Sequence, residues 1–252
     1  MIDAHLHCDF TEEKKEQQLQ FLKKTMWEHN ITRAVLYLIS DRDYEKENYL
    51  LDFGTNIIPS IMLNPKDTQI DQKLMTLKKS GIKMLKLLPY EQQLFYEDYD
   101  RVCDYAMKVQ EQDMILTVCG SYGSKDVYRT NGVELAARIL AAGFQNPLII
   151  AHGGMVRLLD THSLMCEYPN LFIDISFTIP YWWGSHVIED LNFVIQRAKY
   201  ERVFWGSDYP YHSFEDEIHY FELFCKKFQI SPQNRDKLLS GNFEKFYEEY
   251  LK

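Results

Sequence analysis

Short, almost continuous apolar runs recur along the whole chain. Runs such as RAVLYLI and PLIIA are typical of strands that are buried on both faces of a parallel sheet. The sequence therefore predicts eight buried strands. They cover residues 2 to 7, 33 to 39, 57 to 63, 83 to 88, 114 to 119, 147 to 151, 171 to 175 and 202 to 206.

Segments with helical periodicity separate these runs, so that strands and helices alternate. Alternation of this kind predicts parallel pairing, and eight units predict an α/β fold that closes into a (β/α)8 TIM barrel. An open, doubly wound sheet is the alternative, but no Gly-x-Gly-x-x-Gly follows the first strand. The clearest apolar stripes are Leu19, Leu22 and Met26; Val102, Cys103, Ala106 and Val109; and Ile188, Leu191, Val194, Ile195 and Ala198.

Length and composition are consistent with one domain over residues 1 to 252. The 252 residues are 46% hydrophobic, which is enough for a large core, and no linker-like stretch divides them. The formal net charge is −9, with acidic and basic residues mixed along the chain. Because phosphate binding needs a clustered basic surface, we expect no nucleic-acid partner.

The cysteines and the hydropathy indicate a cytoplasmic protein. The five cysteines are widely spaced and include no Cys-x-x-Cys, a pattern that fits reduced thiols rather than a disulfide framework. No apolar run approaches the roughly 20 residues of a membrane helix, and no signal peptide precedes the first strand. We therefore expect no contact with a membrane.

The first predicted strand ends in a His-x-His pair, His5 and His7. Successive side chains in a strand point to opposite faces, so these two imidazoles share one face and can bind one cation. A pair of partly buried histidines that bond to the backbone is the alternative interpretation. For the pair alone that alternative would be preferred, but two distant segments favour a metal site, because LIIAHGG at 148 to 154 and VFWGSDYP at 203 to 210 are apolar strands that end in a histidine or an aspartate.

Other polar residues also lie near the ends of predicted strands. His152 follows the sixth strand, Asp208 follows the eighth, Lys86 lies in the fourth and Cys119 ends the fifth. A barrel brings the carboxyl ends of all its strands to one face, where the active sites of this architecture lie. We therefore expect these residues to meet at the barrel mouth.

Six segments together resemble the amidohydrolase superfamily, in its amidohydrolase-related branch. They occur in the order of that family and span nearly the whole chain, although none of them is specific alone. They are IDAHLH at 2 to 7, IKMLKLLP at 82 to 89, TVCGSYG at 117 to 123, LIIAHGG at 148 to 154, VFWGSDYP at 203 to 210 and LLSGNFEKFY at 238 to 247.

The resemblance implies a set of site residues and a divalent metal, usually zinc. His5, His7 and Asp208 become metal ligands, and His152 becomes the group that polarises the substrate or transfers a proton. A bound cation lowers the pKa of water to about 7, and Asp208 is placed to accept the proton. Members of the family hydrolyse amides, lactones and related bonds, and some decarboxylate aromatic or dienoic acids.

One position departs from the family pattern. Where the family commonly has Ile-His-x-Gly at the end of strand 5, this chain has Thr117, Val118, Cys119 and Gly120. Alignment on Gly120 puts Val118 in the place of the histidine, and Cys119 is expected on the opposite face unless the strand bulges. The metal is then held by Cys119, held weakly by three ligands, or absent.

Several residues near the mouth are candidates for substrate binding. Lys86 is interpreted as a charge near the site rather than a ligand, and Arg129 and Arg157, with Lys125, suit a carboxylate substrate. Solvated surface charge is an equally good interpretation of the two arginines. Trp182, beside Tyr181 and Trp183, is predicted to wall an apolar pocket, to plug the barrel or to form a homodimer contact.

The leading hypothesis is a metal-dependent hydrolase that acts on a small, carboxylate-bearing substrate through metal-activated water. A decarboxylase that uses the same site is the first alternative. Because the strand-5 histidine is replaced, a metal-independent lactonase and a non-catalytic, ligand-binding barrel are the others.

Overall fold

A computed structural model describes residues 1–11, 13–40, 43–121 and 129–252. Eight parallel strands form one sheet, in which the strand order follows the chain from β1 to β8. Every strand lies inside one of the predicted apolar runs, and the predicted (β/α)8 TIM barrel is confirmed. The strands are β1 Ile2–His7, β2 Arg33–Leu38, β3 Ile57–Met62, β4 Met84–Leu87, β5 Ile115–Cys119, β6 Leu148–Ala151, β7 Leu171–Asp174 and β8 Val203–Phe204.

Helices separate most of the strands and surround the sheet. Between β2 and β3, the described residues form a short 3-10 turn, Asn48–Leu50, instead of a full helix. Further 3-10 turns are Tyr96–Asp98 and His152–Arg157, and π-helical turns are Lys237–Gly241 and Tyr247–Leu251. The α-helices are α1 Lys15–Glu28, α2 Ile70–Lys79, α3 Tyr99–Glu111, α4 Gly132–Ala141, α5 Leu158–Glu167, α6 Thr178–Tyr181, α7 Val187–Arg197, α8 Phe214–Lys227, α9 Pro232–Asp236 and α10 Asn242–Phe246.

The segment after β8 closes the barrel against β1. The Ala4 N–H donates to the Trp205 carbonyl at 3.0 Å, and the Asp208 N–H donates to the His5 carbonyl at 2.7 Å. Glycine is required between them, because a Cβ atom on Gly206 would lie 2.9 Å from the His5 nitrogen. Closure therefore places Asp208 beside the histidines that end β1.

The two faces of the sheet bury two different sets of side chains. Leu116 and Val118 of β5 belong to the large apolar core between the sheet and the helices. Ile115, on the same strand, packs with Ile2 and Phe204 inside the barrel. No helix in the described part of the chain is both long and apolar enough to cross a membrane.

Candidate functional site

His5, His7 and Asp208 bring three potential ligand atoms together at the barrel mouth. His5 Nε2 lies 3.2 Å from His7 Nε2 and 3.5 Å from Asp208 Oδ1, which is itself 3.1 Å from His7 Nε2. Tetrahedral zinc with Zn–N bonds of ~2.0–2.1 Å separates its ligand atoms by about 3.3–3.4 Å. The three atoms, hereafter the ligand triangle, thus have the spacing of ligands around one cation.

Hydrogen bonds behind the two imidazoles fix their orientation. His7 Nδ1 lies 3.1 Å from the Tyr37 carbonyl, which only accepts, so Nδ1 carries the proton and Nε2 presents a lone pair. His5 Nδ1 lies 3.0 Å from Asp174 Oδ2, a carboxylate oxygen in the position that supports a metal-binding histidine. Both Nε2 lone pairs consequently point into the ligand triangle.

The charges of these groups also suit a cation. Burial, followed by the nearby Lys86 charge, lowers the pKa of His5 and of His7, so both imidazoles are neutral at neutral pH. Burial alone would raise the pKa of Asp208, but the contact with His7 and the charge of His152 hold it below its usual value. Three adjacent atoms with lone pairs and no shared proton attract a cation strongly.

Lys86 supplies a positive group next to this triangle. Its Nζ lies 2.7 Å from His5 Nε2 and 4.3 Å from the centre of the Tyr37 ring. The side chain is 1% exposed, and burial lowers the pKa of its amino group. Lys86 therefore bonds to one of the lone pairs that a metal ion would use.

His152 lies on the other side of the cavity, directly after β6. Its backbone has a φ of 58°, in the left-handed region, and its ring centre is 4.8 Å from that of His5. Nδ1 lies 3.0 Å from the Ser176 carbonyl and is thus the protonated nitrogen. Although burial opposes the imidazolium, the hydrogen bond and charge of Cys119 raise the pKa of His152 to about 9.

The prediction that Val118 takes the place of the strand-5 histidine is wrong, as is the prediction that Cys119 points away from the site. Val118 is buried towards the helices, whereas Cys119 lies on the cavity wall. The pairing of β5 with both neighbours is regular from Leu116 onwards, so no bulge shifts the alternation. Cys119 is therefore the strand-5 residue of the site, but it does not join the ligand triangle, and its Sγ lies 3.0 Å from Ser121 Oγ.

A cavity of about 610 Å³ opens above these residues. Lys86 is the only lysine or arginine among the described residues that line it, and the exposed Asp9 and Glu91 add carboxylates. Aromatic and aliphatic side chains form much of the remaining wall. The lining comprises His7, Asp9, Ile39, Ser40, Lys86, Leu88, Tyr90, Glu91, Cys119, Ser121, His152, Met155, Phe177, Tyr181, Asp208 and Tyr211.

Three residues that were predicted to bind substrate are not among those that line the cavity. Arg157, directly before α5, pairs with Asp160 of that helix at 3.3 Å. Arg129 lies over the Phe95 ring, with its guanidinium carbon 3.6 Å from the ring centre. Trp182 packs against the core, while the preceding Tyr181 faces the cavity, because neighbouring helical residues point in different directions. Lys125 lies outside the described residues.

The sequence analysis missed several residues of the site. Asp174 ends β7, as His7 ends β1, and the rule that strand ends meet at the mouth would have identified it. Tyr37 and Ser176 act through backbone carbonyl groups, which carry no signal in the sequence. Tyr90, Phe177 and Tyr211 reach the cavity from loops whose paths depend on tertiary packing.

A family model described as Amidohydrolase matches residues 55–248 of the chain. The match begins after β1, so the His-x-His pair lies outside it. The fold brings this pair next to the matched residues of the site. No curated protein matches the sequence.

Solved structures share the fold at low sequence identity. A probable 2-pyrone-4,6-dicarboxylic acid hydrolase from Acinetobacter baumannii, with citric acid bound, is 17% identical with a TM-score of 0.71, and 98% of each chain is covered. An amidohydrolase from Burkholderia multivorans with bound zinc is 14% identical with a TM-score of 0.71, again over 98% of each chain. A 2,6-dihydroxybenzoate decarboxylase from Rhizobium is 13% identical with a TM-score of 0.66, over 99% of each chain.

Proposed function

The chain belongs to the amidohydrolase family, and on that premise we propose that it is a metal-dependent hydrolase of small molecules. The ligand triangle carries this proposal. Two neutral imidazoles and one carboxylate, with their ligand atoms 3.1 to 3.5 Å apart, form a donor set that suits zinc. The relative from Burkholderia multivorans, which has bound zinc, supports the choice of metal.

His5, His7 and Asp208 would hold the ion. When bound, a divalent cation supplies a Lewis acid that polarises a substrate oxygen and acidifies water. Asp174 and the Tyr37 carbonyl keep the two imidazoles in the tautomer that binds metal. Cys119 is not needed as a ligand, because water or substrate completes the coordination in catalytic zinc sites.

Asp208 and His152 divide the proton transfers. The Asp208 carboxylate stays ionised because its pKa is lowered, so it accepts the proton of the attacking water. His152, whose pKa is raised to about 9, is protonated at neutral pH and donates to the substrate carbonyl or to the leaving group. Its left-handed backbone and the Ser176 carbonyl hold the imidazole in this position.

Lys86 determines the charge of the substrate. The lone pair of His5 Nε2 can accept a hydrogen bond from Lys86 or bind a metal ion, but it cannot do both. When the ion is bound, the Lys86 side chain therefore turns to the cavity. There it pairs with one carboxylate group of the substrate. Asp9 and Glu91 repel a second anionic group, so the substrate is a monocarboxylate with a neutral or cationic remainder.

Metal analysis tests the proposal most directly. We expect purified protein to contain about one zinc per chain, and His5→Asn, His7→Asn and Asp208→Asn to lose it. His219→Asn, on the exposed face of α8, is the matched control. A chain that binds no divalent metal after zinc supplementation, or a His5→Asn variant with unchanged zinc content, would contradict the proposal.

Decarboxylation is the second candidate, because Lys86 places a positive group beside the ligand triangle, where a substrate carboxylate would bind. The relative from Rhizobium, described as a decarboxylase, is consistent with it. Assays of the zinc-loaded protein on amides, lactones and aromatic monocarboxylic acids separate the two reactions. Release of carbon dioxide without hydrolysis of any ester or amide bond would replace the hydrolase proposal.

A further inference from the structure

Four residues of the cavity wall have a positive φ although they are not glycine. They are His152 at 58°, Met155 at 56°, Phe177 at 63° and Asp208 at 57°. A side chain strains the backbone in this region, and such residues are concentrated at functional sites. The proposed hydrolysis uses His152 and Asp208 but gives no role to the other two. Ordinary left-handed positions directly after helices are occupied by Asn30, Asp113 and Gln229.

The backbone of Met155 suits glycine better than methionine. Its φ of 56° and ψ of −122° are those of the first central residue of a type II′ turn, where glycine predominates. The chain does place glycine at the two preceding left-handed positions, with Gly153 at a φ of 61° and Gly154 at a φ of 84°. The methionine side chain therefore has to offset a backbone strain that a third glycine would avoid.

The Met155 side chain is buried, but it does not pack in an apolar core. It is 2% exposed and lines the cavity, yet it belongs to none of the three apolar clusters that the buried residues of the described chain form. Leu158 and Met165, which follow it in the sequence, both belong to the large core between the sheet and the helices. Core packing therefore does not explain why a methionine occupies the strained position.

Phe177 adds a second apolar side chain to the cavity wall near His152. The centre of its ring lies 6.1 Å from that of the His152 imidazole. The Phe177 N–H donates to Oε1 of the buried Glu217 at 3.1 Å, and this bond holds the residue in its left-handed conformation. Met155 follows His152 by three residues in the same turn. The wall is therefore apolar next to the proton donor of the proposed mechanism.

We propose that Met155 is a specificity-determining residue, whose side chain contacts an apolar group that the substrate carries next to its reacting bond. The substrate is then a monocarboxylate whose charged group pairs with Lys86 and whose apolar group lies against Met155. The carboxylate part of this assignment rests on the proposed function, whereas the apolar contact does not. Truncation of Met155 should therefore weaken the binding of acids that carry an apolar group and spare those that lack one.

Two carboxylic acids of different size test this assignment on the purified protein. Acetate offers little beyond the charged group, and cyclohexanecarboxylate adds an apolar ring. We expect NMR titration to show that the wild-type protein binds cyclohexanecarboxylate more tightly than acetate. Met155→Gly should weaken the binding of cyclohexanecarboxylate about tenfold, which corresponds to the burial of one or two methylene groups, and leave the binding of acetate unchanged.

Thermal unfolding separates the role in binding from a role in folding. Glycine relieves the backbone strain at residue 155 and alanine does not, so Met155→Gly should have a Tm about 2–4 °C above that of Met155→Ala. Both variants lose the same side chain from the cavity and should lose the same affinity for cyclohexanecarboxylate. Met165→Ala, a truncation in the large core, is the matched control and should lower the Tm without changing either affinity.

The proposal is overturned if Met155→Gly binds cyclohexanecarboxylate as tightly as the wild-type protein does, or loses acetate to the same extent. A wild-type protein that binds both acids equally, or neither, would also overturn it, as would a Tm of Met155→Gly no higher than that of Met155→Ala. Zinc content is measured on the same samples. A protein that selects between the acids through Met155 and never binds zinc would refute the hydrolase proposal alone.

Discussion

Nδ1 of His5 donates a hydrogen bond to Asp174 Oδ2 at 3.0 Å, and this contact joins the first strand of the barrel to the seventh. The other carboxylate oxygen, Oδ1, accepts from the His152 backbone N–H at 3.2 Å. One buried carboxylate therefore orients one histidine of the ligand triangle and the loop that carries the His152 imidazole. Asp174 is a positioning residue for both halves of the site.

Replacement of Asp174 by asparagine should weaken metal binding. The amide keeps the shape but is a poorer acceptor for the His5 N–H, and loss of such a partner typically costs about 10–100-fold in metal affinity. Zinc titration by calorimetry measures the change. Asp160→Asn, an exposed replacement on α5, is the control, and equal affinities in the two variants would show that Asp174 does not support the ligand.

Lys86→Met should have the opposite effect on zinc affinity. The Lys86 amino group bonds to the His5 Nε2 lone pair at 2.7 Å, and methionine fills a similar volume without competing for that lone pair. We expect a lower Kd for zinc by calorimetry, with Lys79→Met on the surface of α2 as the control. A higher Kd would mean that Lys86 assists metal binding instead of competing with it.

Val118→His should destabilise the protein without creating a ligand. The imidazole would enter the packed layer between β5 and the helices, where burial of an unpaired polar group costs about 1–3 kcal/mol and overpacking costs a similar amount. Urea unfolding should show a lower free energy of unfolding, and zinc affinity should stay unchanged. Tighter zinc binding in a folded variant would show that residue 118 faces the site after all.

Glu217 should make the stability of the protein fall as pH rises. This α8 side chain is 1% exposed, and burial, followed by the charges of Asp208 and Asp3, raises its pKa well above the usual 4.5. The native state therefore holds the proton more tightly than the unfolded chain. The resulting stability is complete below about pH 4.5 and is lost as pH rises through the native pKa.

Glu217→Gln removes this titration and still offers an oxygen to the Phe177 N–H, which lies 3.1 Å from Oε1 of Glu217. Urea unfolding from about pH 5 to about pH 8 should show the wild-type protein losing stability relative to this variant. Glu244→Gln, an exposed change on α10, should follow the wild-type pH dependence. If the stability of Glu217→Gln also follows the wild-type pH dependence, Glu217 titrates as an ordinary exposed acid.

The strands and the polar residues that meet at the barrel mouth could be predicted from the amino-acid sequence alone. Strands buried on both faces must be apolar at successive positions, so runs such as RAVLYLI were recognisable without any tertiary information. Parallel strands also bring their carboxyl ends to one mouth. That geometry allowed His5, His7, His152 and Asp208 to be predicted as neighbours although they are far apart in the chain.

Which side chains face the cavity, and which groups hold them there, depended on the tertiary structure. Alignment placed Val118 in the site, but the register of β5 between two regular neighbours placed Cys119 there, because a shift of one residue exchanges the two faces of a strand. The contact of Lys86 with His5 and the carbonyl of Tyr37 behind His7 depend on distances across the barrel. Sequence patterns report the local period of the chain, whereas these contacts arise from closure of the whole sheet.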